Sequence, residues 1–419
     1  MLIYIIDIVF FFIYVAVCLF CIRETKKITG NWISITTMFV IPYMLICIFQ
    51  EVICIFNAYF ILPSYGYWFI NSLFVFLTYF TEILLTKIFK PCSRDKYLSS
   101  YVETFAYNKF FLLGCSSIVL VVALLSFKMV SNIDIALMLQ EDFQGDFQDS
   151  AGGNFYIRLF TIIMAVYFWG INKSRLGYII GAICFVPHVV VNTKGILFMP
   201  IISIFLVRIM LGRISNIKRT FISLGCIGTF IFFSSYMMEF FTYGENPLKD
   251  SDRWLYIFEK QVAYICSGVQ EFAVNFQDGI EHNPNKTNIT LVPYLNILAK
   301  LGIGESVSSI NEEIYRSIGT LPNYGKAYSN VNGYIGTLYL FNGLLGALIY
   351  HIYMIILTFI IKVKTYSCKR PFWIVLYSLF LSGFALGWFD FYFMQTFWIY
   401  FVILIVIIDY IGKYFLINR

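Results

Sequence analysis

Of 419 residues, 59% are hydrophobic and 13% charged, with a formal net charge of +6. A soluble domain carries about 25% charged residues, so a water-soluble fold with one large core is excluded, and the solvent of this chain is mostly lipid. The positive balance is no nucleic-acid signal, because most basic residues sit in short loops between apolar runs, as topology signals do.

A span needs roughly 20 apolar residues to cross about 30 Å of hydrocarbon. In chain order, candidate spans lie near 2–22, 31–56, 66–89, 110–127, 155–171, 177–193, 195–211, 220–238, 333–361, 371–389 and 392–411. The first is broken only by Asp7 and lacks a basic n-region and a small-residue cleavage site, so it reads as a retained span and not as a removed signal peptide. The second and ninth are long enough to tilt or to extend into an interface. The pair 177–193 and 195–211 is joined by almost nothing, which leaves room for re-entrant ends. The expected fold class is an all-α polytopic membrane protein with about 11 transmembrane helices. Its parts are eight spans over 1–238, one large outer loop over 239–332, and three spans with a short tail over 333–419.

One set of alternate connections holds Arg23, Lys26 and Lys27; Lys87, Lys90, Arg94, Lys96 and Lys109; Lys173 and Arg175; Arg213, Lys218 and Arg219; and Lys362, Lys364, Lys369 and Arg370. The other side carries the acidic stretch Asp134, Glu141, Asp142, Asp146 and Asp149. Basic residues stay on the cytoplasmic side, so the N-terminus is expected outside and the C-terminus in the cytoplasm. The ten Cys are scattered, with no CxxC pair or Cys/His cluster, so neither a disulfide framework nor a zinc site is suggested. No metal or other cofactor is expected.

A loop longer than about 15 residues usually has a function or structure of its own. Within 251–276, Trp254, Phe258, Val262, Ile265, Val269 and Phe272 recur every three or four positions, one face of an amphipathic helix. Ser251 suits its N-cap. A second short helix is expected around 291–301. No internal repeat of the transporter kind is visible.

Several residues carry chemistry. Lys194, in Asn192-Thr193-Lys194-Gly195, breaks the charge pattern by lying outside. It is either a solvated hairpin lysine or a phosphate binder with three donors. Arg158, in the first turn of the fifth span, either snorkels to headgroups or meets a partner. Arg253, Glu259, Lys260 and Glu271 on the loop helix are either its wet face or an outward site with two cations and nearby carboxylates. Trp254, Tyr256 and Tyr264, with Asn330 and Asn332 before the ninth span, suit a sugar, which offers an apolar ring face and hydroxyl edges. Asn330 or Asn332 also suits an N-cap. His282 reads as a loop histidine, and Asp390 as a wet turn residue. Asp7, Glu51, Glu82 and Asp409 are isolated carboxylates, mostly near span ends. There is no Walker-type loop, no GxGxxG after a strand and no HExxH, so this chain alone is not an ATP-driven pump.

Three local features resemble the bacterial oligosaccharide repeat unit polymerases, the Wzy-type O-antigen or capsule polymerases. They are the Val191-Asn192-Thr193-Lys194-Gly195 hairpin, the aromatic helix from Trp254 to Phe272, and Ser329-Asn330-Val331-Asn332-Gly333-Tyr334 followed by Leu340-Phe341-Asn342-Gly343-Leu344-Leu345-Gly346. Members of that family often carry Arg where Lys194 stands. The resemblance implies polymerisation of undecaprenyl-diphosphate-linked oligosaccharides at the outer face of the bacterial cytoplasmic membrane. It would place Lys194, Arg158, Arg253 and Lys260 on the diphosphates and make Glu259 or Glu271 the base. Implied partners are the lipid-linked oligosaccharide, a chain-length regulator and a flippase, and no nucleic acid. An O-antigen ligase or other polyprenyl-linked glycosyltransferase shares these features. A lipid-linked sugar flippase shares the many-span architecture alone.

Overall fold

A chain out of water must bond its own backbone, so apolar runs of bilayer length become helices. The computed structural model describes residues 2–57, 60–89, 105–107, 109–130, 154–172, 174–191, 194–214, 251–279, 289–307, 316–329, 331–368 and 370–418. In chain order its helices are α1 (Leu2–Thr29), α2 (Ile35–Asn57), α3 (Tyr65–Phe89), α4 (Lys109–Val130), α5 (Asn154–Val166), α6 (Arg175–Ile183), α7 (Val186–Val191), α8 (Lys194–Met210), α9 (Ser251–Gln277), α10 (Val292–Lys300), α11 (Gly333–Cys368), α12 (Pro371–Ala385) and α13 (Phe397–Gly412). Among the described residues, five helices are long and apolar enough to cross a membrane: Tyr4–Thr29, Ile35–Ile55, Tyr65–Phe89, Lys109–Lys128 and Gly333–Cys368. The segments near 155–171, 177–193, 195–211, 371–389 and 392–411 form shorter apolar helices. The expected span 220–238 lies outside the described residues.

The sequence reading contained no strands, and the structure adds two small antiparallel pairs. β1 (Phe105–Tyr107) pairs with β4 (Leu416–Asn418), and β2 (Arg316–Leu321) with β3 (Gly325–Ser329). The chain divides into two compact units: Met1–Ser93 with Leu248–Ile360 and Gly383–Thr396, and Arg94–Pro247 with Ile361–Ser382 and Phe397–Arg419.

In the first unit, α1 lies along α3 through Phe11, Tyr14 and Trp68, whose rings are 5.1 and 5.3 Å apart across the interface. α9 docks on the α2 and α3 side. Tyr67 donates to the Val269 carbonyl at 3.3 Å, and Gln270 bonds both Gln50 and the Ile61 carbonyl. Ile53, Cys54, Phe60, Val262, Cys266, Ile318 and Leu321 close a dry core between α2, α9 and the β2–β3 hairpin. α11 is broken at Gly343, where φ is +65°, a conformation that glycine adopts without steric cost. Across this break the Tyr334 hydroxyl meets His351 Nδ1 at 2.9 Å, and His351 Nε2 meets Thr78 of α3 at 2.8 Å.

In the second unit, α5 is buried from Leu159 to Val166 and continues into a π-helical turn, Tyr167–Ile171. The carbonyls that this turn leaves over are taken by arginines: Arg208 donates to Trp169 and Arg213 to Gly170, both at 2.8 Å. Ser174 caps α6 by accepting from the Gly177 N–H. Asp409 accepts from Arg370 at 2.7 Å and from the Trp373 indole at 3.2 Å.

The first N–H groups of a helix have no partner inside it. Here, neighbouring helices supply two caps. Glu82 on α3 accepts from the Ile35 and Thr36 N–H groups and the Thr36 hydroxyl at 2.8–3.2 Å, capping α2. Asp7 on α1 accepts from the Tyr65 N–H at 2.7 Å, capping α3. A charged hydrogen bond contributes roughly 1.5–3 kcal/mol, and an orphaned buried donor costs about as much again. Glu82→Ala is therefore expected to lower the thermal unfolding temperature in detergent clearly, and Glu82→Gln to lower it less. An unchanged melting curve for Glu82→Ala would remove this cap from the account.

Candidate functional site

Among the described buried polar groups left without partners, two sets bear on the expected site residues, one in each unit. In the first unit their place is set by how closely α9 meets the start of α11. Gly268 seats α9 on the turn after α12, against which α11 also starts: a Cβ there would collide with the Phe389 carbonyl and lie 2.6 Å from that of Trp388. Gly336 likewise lies under Phe272, where a Cβ would stand 2.6 Å from the Phe272 side chain. Gly333 takes φ +62° beside the Trp388 carbonyl, and the Tyr334 N–H bonds Gly387 at 2.6 Å.

These contacts bring Ser329, Val331 and Asn332 against the buried face of α9. Glu271 is fully buried; its Oε2 accepts from the Val331 N–H at 3.0 Å, while Oε1 has no partner. One turn on, Asn275 donates to Asn332 Oδ1 at 2.7 Å, which leaves Asn275 Oδ1 and Asn332 Nδ2 unused. Burial pushes the Glu271 carboxyl up to about 8, against the pull of Ser329 and the Val331 N–H. At neutral pH its protonated form predominates. The cradle therefore offers a hydroxyl donor or carboxylate acceptor, an amide acceptor and an amide donor, the set that a hydroxyl-rich ligand needs.

Glu259 is in a different state. Its two oxygens accept from the Asn323 N–H, the Asn323 amide and the Tyr324 N–H at 2.7–2.8 Å. Glu259, one of the two candidate bases, thus holds the β2–β3 turn onto α9. Tyr256 packs on Tyr324 in the same turn, with Lys260 Nζ 5.9 Å from the Tyr256 ring. Tyr264 packs on Phe389 at 4.8 Å. The expectation for Asp390 is corrected. It is 6% exposed and accepts from the Phe391 N–H, and burial pushes it up to about 6. The aromatic run Trp388-Phe389-Asp390-Phe391-Tyr392-Phe393 was the available signal. Arg253 and Trp254 stand in the first turn of α9, but their side chains lie outside the described set, as does Asn330.

In the second unit, one of the unpartnered groups is a cation. Arg158 on α5 is 3% exposed, and its Nε and Nη2 have no acceptor. Thr161, one turn on, donates its hydroxyl to the Arg158 carbonyl at 2.6 Å and lies 2.8 Å from Nε2 of buried His188 on α7. Since the one hydroxyl proton goes to the carbonyl, His188 donates from Nε2. Its ring thus braces the α5 turn that carries Arg158. Lys194 opens α8, six positions after His188, with its side chain outside the described set. The sequence reading missed His188, Thr161 and Asn275, which lie in apolar or amphipathic runs without a motif.

The four expected diphosphate residues thus divide between the units: Arg158 and Lys194 belong to one, Arg253 and Lys260 to the other. Among the described residues, no group of three or more His, Cys, Asp or Glu side chains is arranged for a metal ion. Glu51 on α2 is a further buried carboxyl whose two oxygens have no partner.

A group whose folded pKa is raised stabilises the fold least when ionised. Glu271 should therefore leave stability intact below about 4.5 and lower it progressively as pH rises towards about 8. Glu271→Gln keeps a neutral acceptor for the Val331 N–H, so its unfolding temperature should not show this decline. Parallel pH profiles of the two proteins, in detergent, would refute the assignment. No curated protein and no solved structure matches this chain. A family model does match, over residues 54–416, and the chain belongs to that family, the family of unknown function DUF6337.

Proposed function

We propose that the protein is a membrane glycosyltransferase that polymerises polyprenyl-diphosphate-linked oligosaccharide repeat units on the outer face of a bacterial cytoplasmic membrane. The observation that carries this reading is the buried Arg158 guanidinium with two unused donors. An ionisable group at membrane depth pairs with something or serves a ligand. A diphosphate supplies both the charge and the acceptor oxygens that these donors lack.

In the reaction, an acceptor sugar hydroxyl attacks the anomeric carbon of the donor. The bond from that carbon to the diphosphate oxygen breaks, and the diphosphate leaves with the electron pair. The hydroxyl proton passes to a base. Arg158 suits the first demand, as a preorganised cation for developing charge. Glu271, in the first unit, suits the second in its ionised form, the minor one at neutral pH. Asn275 and Asn332 suit sugar hydroxyls beside it. Lys194, Arg253 and Lys260 stay as further phosphate contacts, and Tyr256 and Tyr264 as sugar contacts. The N-terminus outside, the cytoplasmic C-terminus and the 239–332 loop outside belong to the same proposal.

Removing one preorganised donor from such a transition state costs roughly 10²–10³-fold in rate. In cells carrying Arg158→Ala as the sole copy, the polysaccharide ladder is expected to collapse towards a single repeat unit, and Arg158→Lys should retain part of it. Full-length polymer from Arg158→Ala, at normal protein level, would overturn the proposal. Loss of every repeat unit from the lipid core would favour a ligase.

A further inference from the structure

α10 carries its apolar residues on the outside. Leu291, Tyr294, Leu298 and Leu301 recur every three or four positions, so they share one helical face. They are 50%, 40%, 39% and 71% exposed, and Ile303 just beyond them is 61% exposed. The buried residues of this helix are Val292 and Pro293. A surface helix in water turns its apolar stripe inward; this one does the reverse.

The stripe continues a face that already belongs to lipid. Up to Phe341 the first part of α11 is almost wholly buried. Beyond Gly343, Leu345, Ile349, Tyr353, Ile356 and Ile360 form an exposed row on a helix apolar enough to cross a membrane. The Tyr294 hydroxyl meets the Tyr353 hydroxyl at 2.7 Å, joining the two rows. At 1.5 Å per residue, Tyr353 lies about 15 Å along the axis from the break at Gly343. That is about half the thickness of a hydrocarbon core.

Insertion into lipid favours a segment that satisfies its own backbone, and the N–H groups at the exit of this one are served from within it. Pro293 has no N–H to satisfy at the helix start. At the other end, Leu301, Gly302 and Ile303 return their N–H groups to the Ile297, Leu298 and Ala299 carbonyls. Gly302, at φ +83°, makes that return possible. Asn296 closes the exit by accepting from the Val307 N–H at 2.7 Å and donating to its carbonyl at 3.2 Å.

We propose that residues 291–303 are embedded in one leaflet of the bilayer without crossing it, with the Leu291, Tyr294, Leu298 and Leu301 face against phospholipid acyl chains. Nine helical residues reach only about 14 Å, so the chain leaves the leaflet on the side where it entered. Lys300 and Glu305 bracket the exposed Leu301 and Ile303 with charge near the headgroups.

The test uses the full chain in vesicles of phosphatidylcholine and phosphatidylglycerol. A diazirine amino acid replaces Leu298, Leu301, Ile349 or Lys326 in separate proteins, and each is irradiated and weighed by mass spectrometry. Ile349 reports the span and Lys326, on the exposed hairpin, reports water. Leu298 and Leu301 are expected to gain the mass of a phospholipid, as Ile349 does, while Lys326 gains water. Water adducts at both Leu298 and Leu301, with lipid at Ile349, would overturn the proposal. So would a cross-link there to a second copy of the chain, because that copy would then cover the stripe. Leu301 is exposed enough for replacement to leave the fold intact, so its result stands even if the Leu298 variant misfolds.

Discussion

A helix end away from water needs a partner for amides that its own turns cannot serve, and this constraint runs through both units. In the first unit, carboxylates on one helix serve the N-termini of another: Glu82 for α2 and Asp7 for α3. Glu259 does the same for a hairpin turn. In the second unit the charges are reversed, and Arg208 and Arg213 take the carbonyls of the π-helical turn. Most buried charges are thereby accounted for as structure. Arg158, both oxygens of Glu51 and the second oxygen of Glu271 are among those that are not.

Close packing depends on small residues in the same way. Lipid provides no hydrophobic drive between helices, so contact comes from shape, and glycine lets backbones approach. Gly268, Gly336 and Gly66 seat α9 against its neighbours; a Cβ on Gly66 would lie 2.8 Å from Phe276. The close seating of α9 is what aligns Glu271 and Asn275 with Val331 and Asn332. The polar cradle is thus a product of glycines that never touch it.

Hydropathy made the long helices legible, since α1 to α4 and α11 are simply apolar runs of sufficient length. The period of Trp254 to Phe272 made α9 legible, and 291–301 made α10 legible. What hydropathy did not reveal is where a run breaks. The π-helical turn after α5 and the gap between α6 and α7 leave the average apolarity unchanged. Partners were hidden for a related reason. Glu259 and Glu271 sit on one helix in similar surroundings of sequence, yet one is saturated by a turn more than 60 residues away and the other is half free. Asp390 reads as a turn residue because nothing local says that its aromatic neighbours fold over it. The amphipathic reading of α9 also assumed a wet face, whereas buried polar residues such as Gln270, Glu271 and Asn275 cover much of it.

The break at Gly343 is not a swivel. A left-handed glycine in a span would ordinarily let the two halves rock, but here a three-residue latch crosses it: Tyr334 from before, His351 from after, and Thr78 on a separate helix. With both imidazole nitrogens engaged, the angle is locked to α3. The buried half and the lipid-facing half of α11 then behave as one bent beam, and a tilt of the span in the bilayer would be transmitted directly to Asn332 at its foot.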